Sequence, residues 1–377
     1  MEQKLGFGTM RLPLKDSADP SSIDMAKLMR MIDIFIGRGF RYFDTAYAYC
    51  NGHCEAALRQ ALVDRYPRED YILTDKLPTM IIENGDAQAR IFDTQLRRCG
   101  VEYFDRYLIH CATAPFYDRA SELRSFEFAE SKKREGLIRA VGFSFHDSPE
   151  LLERILTEHS ECDFVQLHIN YVDWNHTHMR ARECYEIARR HGKPVTVMST
   201  LKGGLLADVP VSVERLLSSV SGNPDPVTWA LRFAASLEGV DCVLSGMSSV
   251  ADVDRNTLAF MDFVPFSQCE YAVADEIADV ICGSTPVQCT SCSYCVPVCP
   301  ARIAIPDCLH LYNSYSRMFG ARNYGDEYIA ITSERGKASD CIACRACEST
   351  CPQHLNISDW VRRVAYAFEY RRVPAHV

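Results

Sequence analysis

Two runs of four cysteines near the carboxyl end carry the most specific chemical signal in the sequence. The stretches "CTSCSYCVPVCP" (289–300) and "CIACRACESTCP" (341–352) share the spacing C-x2-C-x2-C-x3-C-P. In this spacing three thiolates surround one corner of a 4Fe–4S cluster, and the fourth cysteine, placed before proline, binds the other cluster. The sequence therefore predicts two 4Fe–4S clusters. The expected ligands are Cys289, Cys292, Cys295 and Cys351 for the first cluster, and Cys341, Cys344, Cys347 and Cys299 for the second.

Zinc is the alternative metal, because C-x2-C pairs also build tetrahedral four-ligand sites. A zinc site gives no reason for a third cysteine at x2 and a fourth at x3 before a proline, so the duplicated run favours the clusters. The run resembles the dicluster ferredoxins. The helical stretch between the two runs, "DCLHLYNSYSRMFGARNYGDEYIAIT" (307–332), resembles their α-helical subclass.

A second group of reactive side chains follows three short apolar runs earlier in the chain. Asp44 is the last residue but one of "FRYFDT" and is followed five residues later by Tyr49, Lys76 ends "YILTDK", and His110 ends "DRYLIH". A phenol with a pKa of about 10 is a weak acid at neutral pH, and a nearby ammonium is expected to lower that pKa. A carboxylate positions the ammonium, and an imidazole donates a hydrogen bond to a carbonyl oxygen. The set suits hydride addition to a carbonyl, provided that the fold brings the four groups together.

Eight alternating units supply such a fold. Each apolar, β-rich run is followed by an amphipathic helical pattern such as 25–39, and near-continuous apolar runs are typical of covered parallel strands. We therefore expect a (β/α)8 barrel, in which the strands' carboxyl ends form one reactive rim. A doubly wound sheet is the alternative, but no GxGxxG follows any strand. The predicted strands are 4–10, 40–45, 71–76, 105–110, 138–144, 163–168, 194–199 and 240–246.

Length and composition set the domain organisation. The 377 residues allow one large and one small domain, which we place at 1–268 (barrel) and 286–377 (ferredoxin-like domain), with a linking helix at 269–285. A net charge of -9 and the lack of a basic block argue against nucleic-acid binding. The first residues lack an apolar signal-peptide core, and no apolar run is long enough to cross a membrane. We expect a cytoplasmic protein.

Residues 4 to 260 resemble the aldo-keto reductase superfamily. "GFRYFDTAYAY" matches its second-strand motif, "TDK" its lysine strand and "DRYLIH" its histidine strand. The resemblance implies a catalytic tetrad of Asp44, Tyr49, Lys76 and His110. The whole chain is similar to a ferredoxin-fused branch of this superfamily.

The same resemblance implies a nicotinamide cofactor along the rim. Ser144 in "VGFSFHD" and Gln166 in "FVQLH" match the two residues that bind the carboxamide, with Phe145 replacing the usual asparagine. Met198 stands where the family stacks a tyrosine on the nicotinamide ring. Asn256 matches an adenine contact.

The sequence departs from the family at strand 8. Gly246 and Asp252 stand where NADP-specific members carry lysine and arginine. A carboxylate near a 2′-phosphate would repel it. The resemblance thus implies NAD(H) or NADP(H). The departure argues against a preference for NADPH and leaves two alternatives open, NADH or a weakly bound nicotinamide.

Three functions remain open from the sequence. The leading hypothesis is an oxidoreductase that reduces a small-molecule carbonyl, or oxidises the alcohol, while the clusters exchange electrons with a ferredoxin or flavoprotein. In the second, the clusters only stabilise a small domain. In the third, a non-catalytic barrel supports an electron-transfer module. Tyr117, Tyr171 and Trp174 are candidate walls of the substrate pocket.

Overall fold

The fold is described from a computed structural model, which describes residues 4–16, 19–177, 179–220, 225–316 and 324–370. By compactness the chain divides into two units. The first comprises 1–200 and 227–268, and the second comprises 201–226 and 269–377. The segment 201–226 lies within the contiguous 1–268 of the sequence-based division, yet it groups with the carboxyl-terminal residues.

A closed barrel of eight parallel strands forms the centre of the first unit, as the alternating pattern predicted. Strands pair in chain order, and β8 closes onto β1 with Leu5 beside Val243 and Gly8 beside Gly246. Gly6 allows this closure, because a Cβ at that position would lie 2.6 Å from a methyl carbon of Leu244. The strands are β1 Leu5–Gly8, β2 Tyr42–Asp44, β3 Ile72–Leu77, β4 Phe104–Ala112, β5 Ile138–Phe145, β6 Phe164–His168, β7 Val195–Met198 and β8 Val240–Gly246.

Helices cover the outside of the barrel with their apolar faces. In α1 (Met25–Gly37) the buried positions Leu28, Met31, Ile32 and Phe35 follow the helical repeat. Asp24 caps this helix by accepting a hydrogen bond from the amide of Lys27 (3.1 Å). The other helices of this unit are α2 Cys54–Leu58, α3 Gly85–Cys99, α4 Ala114–Glu122, α5 Ser125–Arg134, α6 Pro149–Glu158, α7 Ala181–Arg190, α9 Pro226–Ala235 and α10 Val250–Met261.

The second unit is helical and has its own apolar core. Val287, Ile303, Leu309 and Val361 are among its fully buried residues, and six of the eight cysteines of the two runs, all except Cys292 and Cys344, border or join this core. Its helices are α8 Val211–Val220, α11 Gln268–Ser284, α12 Ile305–Ser316, α13 Tyr324–Thr332, α14 Ala346–Ser349 and α15 Ile357–Ala365. In the predicted helical stretch 307–332, residues 317–323 lie outside the described part of the chain. No helix within the described ranges is both long and apolar enough to cross a membrane.

Candidate active site and cluster-binding sites

The predicted Asp44–Lys76 pair is present at the carboxyl ends of β2 and β3, and both side chains are buried. The Nζ atom of Lys76 donates to Asp44 Oδ1 at 2.5 Å and to the carbonyl oxygen of Thr45 at 2.7 Å. Burial raises the pKa of Asp44 above its ordinary value, while the Lys76 charge and the Gln166 amide act in the opposite direction. The ammonium and its acceptors thus satisfy one another inside a site from which water is excluded.

Tyr49 lies against this pair. The Lys76 Nζ atom is 5.0 Å from the centroid of the Tyr49 ring. Burial, followed by the negative charge of Asp44, raises the pKa of the Tyr49 phenol well above its usual value. Burial and the Asp44 charge thus act against the lowering of this pKa that Lys76 is expected to cause. Tyr49 is a protonated phenol that can serve as a proton donor.

His110 completes the group at the end of β4. Its ring meets the Tyr49 ring edge-on, with centroids 6.1 Å apart. Burial first, and the charge of Lys76 second, lower the pKa of His110 to about 3. The imidazole is neutral near pH 7, so it can donate one N–H to a carbonyl oxygen without bringing a net charge. The four residues predicted from sequence are thus brought together on one rim.

Two of the predicted nicotinamide contacts are adjacent. Ser144 on β5 pairs in register with Gln166 on β6. The Ser144 hydroxyl oxygen accepts from the amide of Cys111 (2.8 Å), which leaves its own proton for another acceptor. Gln166 donates to Asp44 Oδ2 at 3.4 Å, and its Oε1 atom is buried without a partner in the described residues. This oxygen is an acceptor that a carboxamide NH2 fits.

The remaining predicted contacts are spread over β7, β8 and α10. Met198 packs against an apolar cluster that includes Tyr42 and Leu244. Gly246 is an exposed position at the end of β8. Asn256 is buried and donates to the hydroxyl of Ser245 at 3.0 Å, while its Oδ1 atom has no partner in the described residues. Asn256 therefore keeps an acceptor, as an adenine amino group requires.

Asp252 has a structural role that its sequence position did not reveal. Its carboxylate accepts from the amide of Ser249 at 3.0 Å and so completes a capping box at the start of α10. It also accepts from Arg255 at 3.0 Å. A second cation, Arg11, lies beside Gly246, since a Cβ at Gly246 would be 3.3 Å from Arg11 Cδ. No motif pointed to Arg11, because its proximity depends on the closure of β1 onto β8.

A pair of histidines near this site was not predicted from the sequence. His146 follows β5 and His168 ends β6, each two residues beyond a predicted carboxamide contact. His168 Nε2 and His146 Nδ1 are 2.7 Å apart, so the rings share a hydrogen bond. Residues two apart on a strand point to the same face, so the sequence carried a signal that His146 lies on the face of Ser144 and His168 on the face of Gln166.

The aromatic candidates for the pocket wall are packing residues. Tyr117 is buried on α4, where it contacts Phe126 and donates to the carboxylate of Glu158. Tyr171 packs edge-on against Phe233, and Trp174 contacts the same ring. The prediction that these rings line a substrate pocket finds no support in these contacts.

Each predicted set of cluster ligands lines its own cavity in the second unit. Residues lining the first cavity include Cys289, Cys292, Cys295 and Cys351. Residues lining the second include Cys299, Cys341, Cys344 and Cys347. In both cases the fourth cysteine comes from the opposite run, which is the exchange that the spacing predicted.

The backbone around the cavities repeats along with the cysteines. Positive φ angles occur at Ser291, Ser293 and Arg302 in the first run and at the corresponding Ala343, Arg345 and His354 in the second. Residues with a left-handed backbone conformation on both sides of the second cysteine bend each loop around its cavity. Backbone amides also point at sulfur: Ser291 N lies 3.4 Å from Cys289 Sγ, and amides of 353–355 bond to Cys351. Such bonds are typical of 4Fe–4S sites.

Comparison with protein-family models gives two matches. Residues 4–279 match the aldo/keto reductase family, and residues 288–357 match a 4Fe-4S dicluster domain. The solved structure of an aldo-keto reductase from Bacillus halodurans (holo form) superimposes with a TM-score of 0.60 at 25% identity, covering 73% of this chain and 91% of that one.

Three relatives show how far the sequence likeness extends. An aldo-keto reductase of Mycolicibacterium paratuberculosis is 31% identical over 262 residues, covering 69% of this chain and 80% of the relative. One from Mycolicibacterium smegmatis is 28% identical, covering 54% and 66%. The NADH-specific methylglyoxal reductase of Escherichia coli is 27% identical, covering 45% and 54%. The chain thus spans between half and two thirds of the last two relatives.

Proposed function

Because this chain belongs to the aldo/keto reductase family and carries a 4Fe-4S dicluster domain, we propose that it reduces a small carbonyl compound, or oxidises the alcohol, at Tyr49. The convergence of the buried Asp44–Lys76 pair with Tyr49 carries this proposal. The eight cysteines of the two runs would hold two 4Fe–4S clusters, which would supply single-electron exchange with a ferredoxin or flavoprotein.

Each of the four rim residues has a different role in the proposed carbonyl reduction. His110 donates a hydrogen bond to the carbonyl oxygen and orients it toward Tyr49. As negative charge develops on that oxygen, Tyr49 donates its phenolic proton, because an alkoxide is a stronger base than a phenolate. Lys76 stabilises the phenolate left behind, and Asp44 holds Lys76 in place. In the reverse direction the same groups remove the proton of the alcohol.

A nicotinamide cofactor fits the residues beside this site. When bound, it supplies or accepts the hydride. The free acceptor of Gln166 and the available proton of Ser144 suit the two ends of a carboxamide. Asn256 offers an acceptor to the adenine.

The two cysteine cavities fit 4Fe–4S clusters on the chemistry of their donors. Each has four thiols and two residues of left-handed backbone conformation in its loop, and in the first cavity backbone amides also bond to sulfur. When bound, the clusters supply single-electron chemistry. The cysteine thiolates of this chain would provide the negative charge that binds the iron, and the surrounding core limits access of water.

A second candidate function treats the clusters as structural supports. It is favoured by one observation: six of the eight cysteines border or join an apolar core of the second unit, so filled cavities would complete that core. A redox titration of the intact protein separates the two possibilities. Clusters that stay oxidised down to the potentials of cellular ferredoxins would favour the structural role.

We expect about eight irons and eight acid-labile sulfides per chain in protein purified without oxygen, because each four-thiol cavity accommodates one cubane. The measurement is a colorimetric iron and sulfide assay on protein of known concentration. Stoichiometric zinc without labile sulfide would contradict the prediction, and so would a constant four irons.

We expect NADH to be preferred over NADPH, because the Asp252 carboxylate, although paired with Arg255, lies where a 2′-phosphate is predicted to bind. Asp252→Asn should lower the NADH-to-NADPH ratio of kcat/KM about tenfold, the size of one close charge interaction near a protein surface. Asp254→Asn is the control, since this carboxylate on the same helix is likewise paired, with Arg38 (2.7 Å), and is not a predicted cofactor contact. Methylglyoxal, followed by other small aldehydes and ketones, is the probe substrate. An equal shift in both variants would argue against a local role of Asp252.

A further inference from the structure

A buried lysine of the second unit lies next to the first cysteine cavity. Lys202 begins a short turn, Lys202–Gly204, and its side chain is only 1% exposed. Its Nζ atom is 3.5 Å from Oε1 of Gln353. Gln353 itself lines the cavity formed by Cys289, Cys292, Cys295 and Cys351. A single side chain therefore separates the ammonium from the predicted first cluster.

The turn that carries Lys202 is fixed against the cysteine loop by a close backbone approach. Gly203 has a φ of +71°, and a Cβ built on it would lie 2.1 Å from the carbonyl oxygen of Thr290. Thr290 also lines the first cavity, between two of its cysteines. Only glycine allows this approach, so the turn is held in place beside the loop. The fold of the second unit therefore fixes the position of the Lys202 charge.

The second cavity has a different electrostatic environment. The cation that lines it is Arg345, whose side chain is 70% exposed and 3.9 Å from the carboxylate of Glu348. An exposed cation is screened by water and salt and contributes little to the potential at a nearby site. A buried cation is screened far less. The two cavities, which are alike in sequence and backbone, therefore differ in the charge that faces them.

We propose that Lys202 sets the reduction potential of the first cluster. Reduction adds one electron to an oxidised 4Fe–4S cluster and increases its negative charge by one, with no bond made or broken. A buried ammonium stabilises the product of this step more than the reactant, so it raises the potential of the first cluster above that of the second. The proposal rests on the proposed function, since it requires both clusters. An electron delivered to the domain then resides on the cluster next to the 201–226 segment.

The test is a potentiometric titration of the intact, cluster-loaded protein, with dithionite as the electron donor and electron paramagnetic resonance as the readout. In Lys202→Met we expect the reduction equilibrium of one cluster to fall about tenfold, which is 59 mV for a one-electron couple. The other couple should not move. Lys202→Arg keeps the charge and should stay near the wild-type value. Arg345→Met, at the exposed cation, should shift either couple less than threefold.

A second variant keeps the proposal testable if Lys202→Met loses a cluster. Gln353→Glu places a carboxylate next to the Lys202 ammonium and should lower the same couple about tenfold, while Gln353→Met should not. Unchanged potentials in Lys202→Met and Gln353→Glu, with eight irons retained, would overturn the role of Lys202. The presence of the two clusters would not be contradicted. A wild-type protein without iron or labile sulfide would instead refute the proposed function, and this inference with it.

Discussion

Replacing Tyr49 with phenylalanine is expected to lower carbonyl reduction by 10²–10⁴-fold, because the variant has no proton to give to the developing alkoxide. The loss corresponds to roughly 3–5 kcal/mol of activation free energy. Nicotinamide binding should stay nearly intact, since the predicted contacts lie on other strands, at Ser144 and Gln166. The measurements are steady-state turnover with a confirmed substrate and cofactor binding by fluorescence titration.

Tyr47→Phe is the matched control for this prediction. Tyr47 lies in the same loop, and the guanidinium carbon of Arg98 is 4.6 Å from its ring centroid. Its hydroxyl has no place in the proposed proton transfer, so the variant should retain activity within a few fold. Comparable losses in both variants would indicate a damaged loop, and near-wild-type turnover in Tyr49→Phe would refute the assignment.

Lys76→Met should lose as much activity as Tyr49→Phe, but it should also lose stability. Removing one partner of a buried ion pair leaves the other charge unpaired, at a cost of about 3–5 kcal/mol. Adding Asp44→Asn to Lys76→Met removes the unpaired carboxylate. We therefore expect the double variant to regain much of the thermal stability and none of the activity, which separates the chemical role of the pair from its role in folding.

Much of the barrel and the convergence of Asp44, Tyr49, Lys76 and His110 could be predicted because both depend on local sequence patterns. Each strand is a short apolar run, and parallel strands in chain order bring their carboxyl ends to one rim. The positions of Asp44, Lys76 and His110 at those ends follow from this rule alone. The cysteine sets followed from spacing, since a C-x2-C-x2-C-x3-C-P run places its ligands with little help from the rest of the fold.

The features that could not be predicted depend on contacts between distant parts of the chain. The pKa of Tyr49 is decided by how deeply the phenol is buried, and no residue type or spacing reports that depth. Tyr117 packs between helices because of what α4 faces, not because of its place in a loop. Lys202 and Gln353 are 151 residues apart in sequence, so their proximity has no local signal. Asp252 is the opposite case. Its role in capping α10 depends on local sequence, but the residue was interpreted only by its position in the family.

Loss of either cluster is expected to reduce turnover at the barrel, by tenfold or more, in Cys289→Ser and in Cys341→Ser. The two units are joined by three chain crossings, because 201–226 belongs to the second unit and lies in sequence between β7 and α9. The turn Lys202–Gly204 packs on the first cysteine loop and starts four residues after Met198, a predicted nicotinamide contact. A first cysteine loop that loses its cluster no longer holds this turn, so the chain leaving β7 loses its support.

Cys269→Ser is the control for this effect, since Cys269 is an exposed cysteine on α11 that lines neither cavity. Each ligand variant should contain about four irons and the control about eight, and limited proteolysis should cut the ligand variants faster within 201–226. Cluster absorbance followed during anaerobic addition of NADH then tests electronic coupling directly. If both ligand variants keep full turnover and NADH leaves the clusters' redox state unchanged, the barrel and the clusters work independently. In that outcome the clusters are structural supports, because a cubane that neither exchanges electrons with the nicotinamide nor affects turnover contributes only to the stability of its own domain.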